Sequence, residues 1–275
     1  MNYQTIIYEK ERGRARIILN RPEKMNALSD QVWFDIDAAL DDAEPDPEVR
    51  VVIFKGAGRA FCAGHDLSGK VGQVTTPINP SERPSHKKLL WVEHGRIARY
   101  ERIFRFLKPT IAQVHGFAIY AGMYISMMCD ITIAAEDARF QGRGAPVVTT
   151  AHYNPIPCWR SKMRAAARID GKEAERIGLI TRAVPADKLE EEVERLADAI
   201  CLMPRTGLEL NKEMLNGAMD ICGLEAAWRS CAAMHFMGNF QRFHPDDYSF
   251  WRTRRDEGLK GTIESRRAPG VVARI

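Results

Sequence analysis

The sequence predicts an α/β fold, and three observations carry that prediction. Short, β-branched apolar runs recur at Val51–Lys55, Thr110–Val114 and Ile131–Ala134, bounded by Gly, Pro or charged residues. Helical patterns alternate with them at Gln31–Ala43, Lys87–Leu107 and Met123–Met128. From Asp187 the pattern is helical nearly to Gly258, which sets a helical region after the strands.

In chain order, Thr5–Tyr8 and Ala15–Leu19 read as strands joined by a charged turn around Gly13. Ser29 or Asp30 caps the helix Gln31–Ala43, which Pro45 and Pro47 end. After Val51–Lys55 comes Gly56-Ala57-Gly58, where a dinucleotide-binding reading fails because Phe61 stands at the third glycine position. Gly69 to Ser85 holds three prolines and two glycines and no periodicity. It is a long loop, either an active-site flap or simply irregular chain. Lys87–Leu107, apolar at 89, 90, 92, 97, 103, 104, 106 and 107, is a partly amphipathic helix.

The stretch from Lys108 to Asp130, KPTIAQVHGFAIYAGMYISMMCD, organises the rest. Thr110–Val114 is a buried strand. Gly116, Ala118, Ala121 and Gly122 form a small-residue turn, and Met123–Met128 is a buried helix. A strand that breaks at glycine and re-enters as a helix leaves the first helical N–H groups without internal partners. Such a terminus suits negative charge. The same glycines equally suit close packing and nothing more. Beyond it, Ala138–Phe140 is extended, Gln141 to Pro157 irregular, Cys158–Ile169 and Gly171–Gly178 helical, and Thr181–Val184 a strand.

Composition narrows the class. The 275 residues are 45% hydrophobic and 28% charged, as in an ordinary globular protein. No apolar run approaches a membrane span, and the start, MNYQTIIYEKERGR, has no signal-peptide core, so a cytoplasmic location is expected. The six cysteines show no CxxC spacing and read as reduced thiols, not as a zinc or disulfide framework; no metal is expected. Net charge is +4, and residues 252–274 carry seven Arg or Lys against three acids. No nucleic-acid-binding motif accompanies that basic tail.

Two segments carry a resemblance. VVIFKGAGRAFCAGHDL, from Val51, and KPTIAQVHGFAIYAGMYISMMCDITIAAEDARF, from Lys108, resemble the signature segments of the crotonase, or enoyl-CoA hydratase/isomerase, superfamily. LNRPEKMNALS, GKEAERIGLITRAV and EGLKGTIESRRAP extend it over most of the chain. The resemblance implies a spiral of strand-strand-helix turns over residues 1–196, with a helical region over 197–275 for oligomerisation and coenzyme A contacts. It also implies an acyl-CoA substrate, with coenzyme A as part of that substrate and no separate cofactor. Assembly as a homotrimer or dimer of trimers is implied, without nucleic acid or membrane. By name such a chain is an enoyl-CoA hydratase, a lyase of lipid metabolism.

Carried over position by position, the N–H groups of His65 and Ala121, with Gly122 beside them, stabilise the thioester oxyanion. Lys24, Ala63, Asp66, Leu67, Arg266 and Arg267 line the coenzyme A. The two glutamates of a standard hydratase are absent: Tyr124 stands at the first position and Gly144 at the second. Hydration needs both carboxylates to activate water across the double bond, so ordinary hydration is not expected. His152, Tyr153 and Arg143 are nearby substitutes, with His152 the natural base near neutral pH. Tyr124 is either a core aromatic or an acid, and Tyr120 is bulkier than the glycine common there. Cys158 has no His–acid pair to activate it. The expected enzyme decarboxylates, opens a ring, hydrolyses a thioester or runs a lyase step. The alternative is a catalytically silent acyl-CoA binder.

Overall fold

The computed structural model describes residues 2–67, 85–142 and 168–238, with 252–253, 255–258 and 260–261 near the C-terminus. Strands β1 (Ile6–Glu11), β2 (Arg14–Leu19), β3 (Val51–Gly56), β4 (Thr110–Val114), β6 (Ile131–Ala135) and β9 (Arg182–Val184) form one sheet in the order β1-β2-β3-β4-β6-β9. Among the described residues of this sheet, only the β1–β2 pairing is antiparallel. A smaller sheet holds β5 (Phe117–Ile119), β7 (Arg139–Gln141) and β8 (Ile169–Asp170).

The two sheets share a repeating unit. β4, β5 and helix α3 (Ala121–Met128) make one strand-strand-helix turn. β6, β7 and, after β8, α4 (Gly171–Arg176) make the next. Each turn adds one parallel strand to each sheet, so Ile111 pairs with Ile131 and Phe117 with Arg139. The chain from β3 runs the same course, with Cys62 bridging Ala118 in parallel where the second strand belongs. Phe117–Ile119, expected inside a turn, is therefore a strand. Its three residues are too few for a periodic signal, and the pairing with β7 decides it. Ile169, expected at a helix end, is in β8 for the same reason, and Asp170 caps α4 by accepting from the Glu173 N–H at 2.9 Å.

Helix α1 (Asp30–Ala43) starts at Ser29, whose hydroxyl accepts from the Val32 N–H. It buries Val32, Trp33, Ile36, Ala39, Leu40 and Ala43, the one-face spacing of an amphipathic helix. Helix α2 (His86–Arg105) packs on α3 and on α7 (Leu224–Gly238), and α5 (Leu189–Leu202) lies across β3, β4 and β6. Residue 196, where the strand-bearing part was expected to end, lies within α5. Register puts Arg14, Arg16, Lys55 and Gln113 on the sheet face that meets α5. Arg14 pairs with Glu194 and Asp198, Arg16 with Glu194 at 2.6 Å, and Gln113 donates to Glu190 at 2.6 Å.

Helix α6 (Arg205–Ile221) is tied to the sheet by a buried charge. Lys212 Nζ lies 2.8 Å from the Asp130 carboxylate, which also accepts the Thr110 N–H at 2.7 Å and its hydroxyl at 2.8 Å. Removing the carboxylate leaves an ammonium that is 8% exposed with only the Lys108 carbonyl, at 3.3 Å. Asp130→Ala is therefore expected to lower unfolding stability by about 2–4 kcal/mol. Urea unfolding checks this, and a loss below about 0.5 kcal/mol, the ordinary range for a surface change, contradicts it.

Candidate active site

Residues 61–66 run between two other segments and are hydrogen-bonded to both. Toward β5, Phe61 N–H donates to His115 O at 3.0 Å, Cys62 N–H to Phe117 O at 2.9 Å, and Ile119 N–H returns to Cys62 O at 2.9 Å. On the other side, Ala63 N–H reaches Met25 O at 2.9 Å, Leu28 N–H reaches Gly64 O at 2.8 Å, and Asp66 N–H reaches Leu28 O at 2.8 Å. In that parallel pairing Leu28 uses both its groups on residues 64 and 66, so His65 turns its own N–H to the opposite side. On that side Gly64 abuts α3. A Cβ built on Gly64 would lie 2.9 Å from Ile119 O, 3.3 Å from Tyr120 Cβ and 3.6 Å from Ala121 N.

Helix α3 opens there. Its first internal bond runs from Tyr124 N–H to Tyr120 O at 3.0 Å, so the N–H groups of Ala121, Gly122 and Met123 precede the ladder. Gly122 packs so closely that a Cβ would lie 2.3 Å from Cys62 O. The bare backbone at 122 is what lets α3 seat against the 61–66 segment. Tyr120 precedes the helix at φ 50° and ψ −111°, a strained position for a residue with a side chain, costing on the order of 1–3 kcal/mol.

Among the coenzyme A expectations, Lys24 lies 3.6 Å from the Asp66 carboxylate. Arg21, which the sequence did not single out, is closer: its guanidinium sits 2.7 Å from Asp66 and 2.5 Å from Ala27 O. Arg21 and Asp66 are only 14% and 11% exposed, so this pair is a strut under the loop. Asn26 is a second unforeseen strut. It accepts the Arg21 N–H at 2.9 Å and donates to Ala57 O at 2.8 Å and Ala60 O at 2.7 Å. Leu67 is the last described residue of this segment.

Tyr124 is 3% exposed and stands in a column of edge-on aromatics. Its ring centroid is 6.3 Å from that of Tyr100 on α2, which lies 4.9 Å from Trp33 on α1. The arrangement matches the core reading of this residue more closely than an open acid. His152, Tyr153, Arg143, Gly144, Cys158, Arg266 and Arg267 lie outside the described residues. Among the described residues no His, Cys, Asp and Glu cluster is arranged to hold a metal, and no helix is long and apolar enough to cross a membrane.

With this geometry in view, the similarity to known proteins is decisive. The profile of the enoyl-CoA hydratase/isomerase family matches residues 9–242. The chain belongs to that family. A probable enoyl-CoA hydratase of Mycobacterium bovis is 30% identical over 232 residues, covering 80% of this chain and 84% of its own. Among solved structures, an enoyl-CoA hydratase of Mycobacterium smegmatis superposes with a TM-score of 0.82 at 27% identity, covering 98% and 95% of the two chains. An enoyl-CoA hydratase/isomerase of Xanthobacter autotrophicus gives 0.80 at 30%, covering 97% and 98%. The crotonase fold expected from the sequence is thus the fold of this chain.

Cys62 lies under the loop in this family fold, its sulfur accepting the Gly64 N–H at 3.4 Å. Burial pushes its thiol up from 9.0 to about 12, with the Gly64 hydrogen bond pulling weakly the other way. The neutral thiol is favoured in the folded state, so stability is full below the ordinary thiol value and falls as pH rises from 9.0 toward about 12. At pH 8, iodoacetamide is expected to label exposed Cys222 and spare Cys62 and Cys129 in the native protein, by peptide mapping. Equal labelling of Cys62 and Cys222 contradicts the buried assignment.

Proposed function

We propose that this enzyme, an acyl-CoA-processing member of the enoyl-CoA hydratase/isomerase family, stabilises a thioester enolate or oxyanion with the N–H groups of His65 and Ala121. The observation that carries the proposal is the seating of the Gly64-His65 segment against the first turn of α3. It supports a placement of the two backbone N–H groups, from different turns of the fold, on one side. Fixed donors aimed where negative charge develops each contribute about 3–4 kcal/mol of barrier lowering in other acyl-transfer sites. Gly122 keeps the approach narrow and bare. Ala63, Asp66 and Leu67, with Lys24, form the edge along which the coenzyme A lies, and Arg266 and Arg267 hold its phosphates.

The reaction is outside ordinary hydration. With Tyr124 and Gly144 at the two glutamate positions, no paired carboxylates are available there to add water across a double bond. Decarboxylation, ring opening or thioester hydrolysis needs the oxyanion donors but not that pair, and His152 supplies the proton transfer. A second reading, a catalytically silent acyl-CoA binder, is favoured by one observation. Tyr124 is 3% exposed and its ring packs in the aromatic column with Tyr100. Turnover of any coenzyme A thioester, detected by mass spectrometry, excludes the second reading.

Assembly as a homotrimer or a pair of trimers belongs to the same proposal. Leu224 and Trp228 of α7 pack inside the chain: Trp228 meets Phe104 of α2 with ring centroids 5.5 Å apart. An apolar face is exposed on α6, where Leu210, Met214 and Leu215 are 64%, 66% and 64% exposed. That face supports contact with another copy.

Crotonyl-CoA hydration is expected far below the ordinary enzyme rate of about 10 per second. A spectrophotometric rate in that range overturns the non-hydratase reading.

A further inference from the structure

Tyr120 differs from its neighbours in its backbone. Its φ of 50° and ψ of −111° are those of the first central residue of a type II′ turn, a position glycine normally fills. A tyrosine persists there only because its surroundings hold it. The Tyr120 N–H donates to Gln141 O at 2.7 Å, and its carbonyl accepts the Tyr124 N–H at 3.0 Å. Gln141 is fixed in turn: it pairs with Ile119 in the small sheet, and its side-chain oxygen accepts from the Arg168 guanidinium at 3.1 and 3.0 Å.

The side chain at 120 has a consequence for the site. Gly64, at φ 97°, has no room for a Cβ, because Ile119 O would lie 2.9 Å away. Tyr120 Cβ faces that bare position, 3.3 Å from where the missing atom would be. It therefore fills the junction between the segment that leads to the His65 N–H and the one that begins with the Ala121 N–H. Glycine at 120 would relax the backbone and remove the one side-chain atom against Gly64, leaving only the backbone atoms Ile119 O and Ala121 N there.

We infer that Tyr120 is a positioning residue: its Cβ is a spacer that sets the separation of the His65 and Ala121 N–H groups, and the strained backbone is retained for that purpose. The inference rests on the proposed role of those two N–H groups. It assigns no proton transfer to the phenol. The carbon framework is what the spacer uses.

The test compares wild type, Tyr120→Gly and Tyr120→Phe with propionyl-CoA and with S-propyl-CoA, a thioether that lacks the carbonyl oxygen. Calorimetry gives the affinity ratio of thioester to thioether, infrared difference spectroscopy gives the bound carbonyl stretch, and thermal unfolding gives Tm. Wild type and Tyr120→Phe are expected to favour the thioester by about tenfold, a difference of about 1.4 kcal/mol, and to shift the stretch to lower frequency. Tyr120→Gly is expected to raise Tm by about 2–6 °C through relief of strain, yet to lose most of the thioester preference and the carbonyl shift. A general packing role would not move the carbonyl stretch while raising Tm. If Tyr120→Gly keeps the wild-type preference and stretch, or its Tm does not rise, the spacer is overturned. Equal loss in Tyr120→Phe assigns the effect to the hydroxyl and also overturns it. A wild type without thioester preference removes the oxyanion reading itself, and this inference with it.

Discussion

Residues 61–66 are hydrogen-bonded on both edges, to residues 25–28 on one side and to β5 on the other, and most of what this chain can do depends on that double attachment. A loop held on one edge opens and closes; one held on both has its N–H directions set by its neighbours. The His65 N–H turns away from the edge that Leu28 occupies, and α3 can seat against the loop because Gly122 presents no side chain to Cys62. Polarity at such a junction is useful only if it is preorganised, since donors that must reorient when charge develops give back much of what they contribute.

The supports of the loop lie well apart in sequence and are mostly buried. Asn26 ties residues 57 and 60 to residue 21, and Arg21 ties the loop's far end through Asp66. Cys62 adds a thiol kept neutral by burial. Arg14, Arg16 and Gln113 engage α5 on one face of the large sheet, and Lys212 of α6 reaches Asp130 at the start of β6. Those charges hold the helical region to the sheet and take no part in the site. Electrostatics among the described residues thus has two separate tasks: anchoring helices to the large sheet, and bracing one loop.

Much of the fold was legible. Thr110–Val114 is the strand the sequence predicts, and Val51–Lys55 and Ile131–Ala134 each extend by one residue, because long apolar β-branched runs declare themselves. Two of the short strands were not legible, although β7 overlaps the extended piece expected at Ala138–Phe140. Phe117–Ile119 and Ile169–Asp170 are held by pairing partners distant in sequence, and two or three residues carry no period. In the site, the resemblance pointed to residues 65, 121 and 122. It did not disclose the Arg21–Asp66 pair, since nothing in the local pattern joins residues 45 apart. Nor did it foresee that Tyr120 is strained, because a sequence records the side chain and not the dihedral angle it is forced to adopt.

The central claim is that one thioester oxygen is held by two backbone N–H groups from different turns of the fold. A crystal structure with bound propionyl-CoA tests it most directly. The account predicts the thioester oxygen about 2.7–3.1 Å from both the His65 and the Ala121 nitrogen. A thioester oxygen beyond hydrogen-bond distance of either nitrogen, in a fully occupied complex, would contradict it.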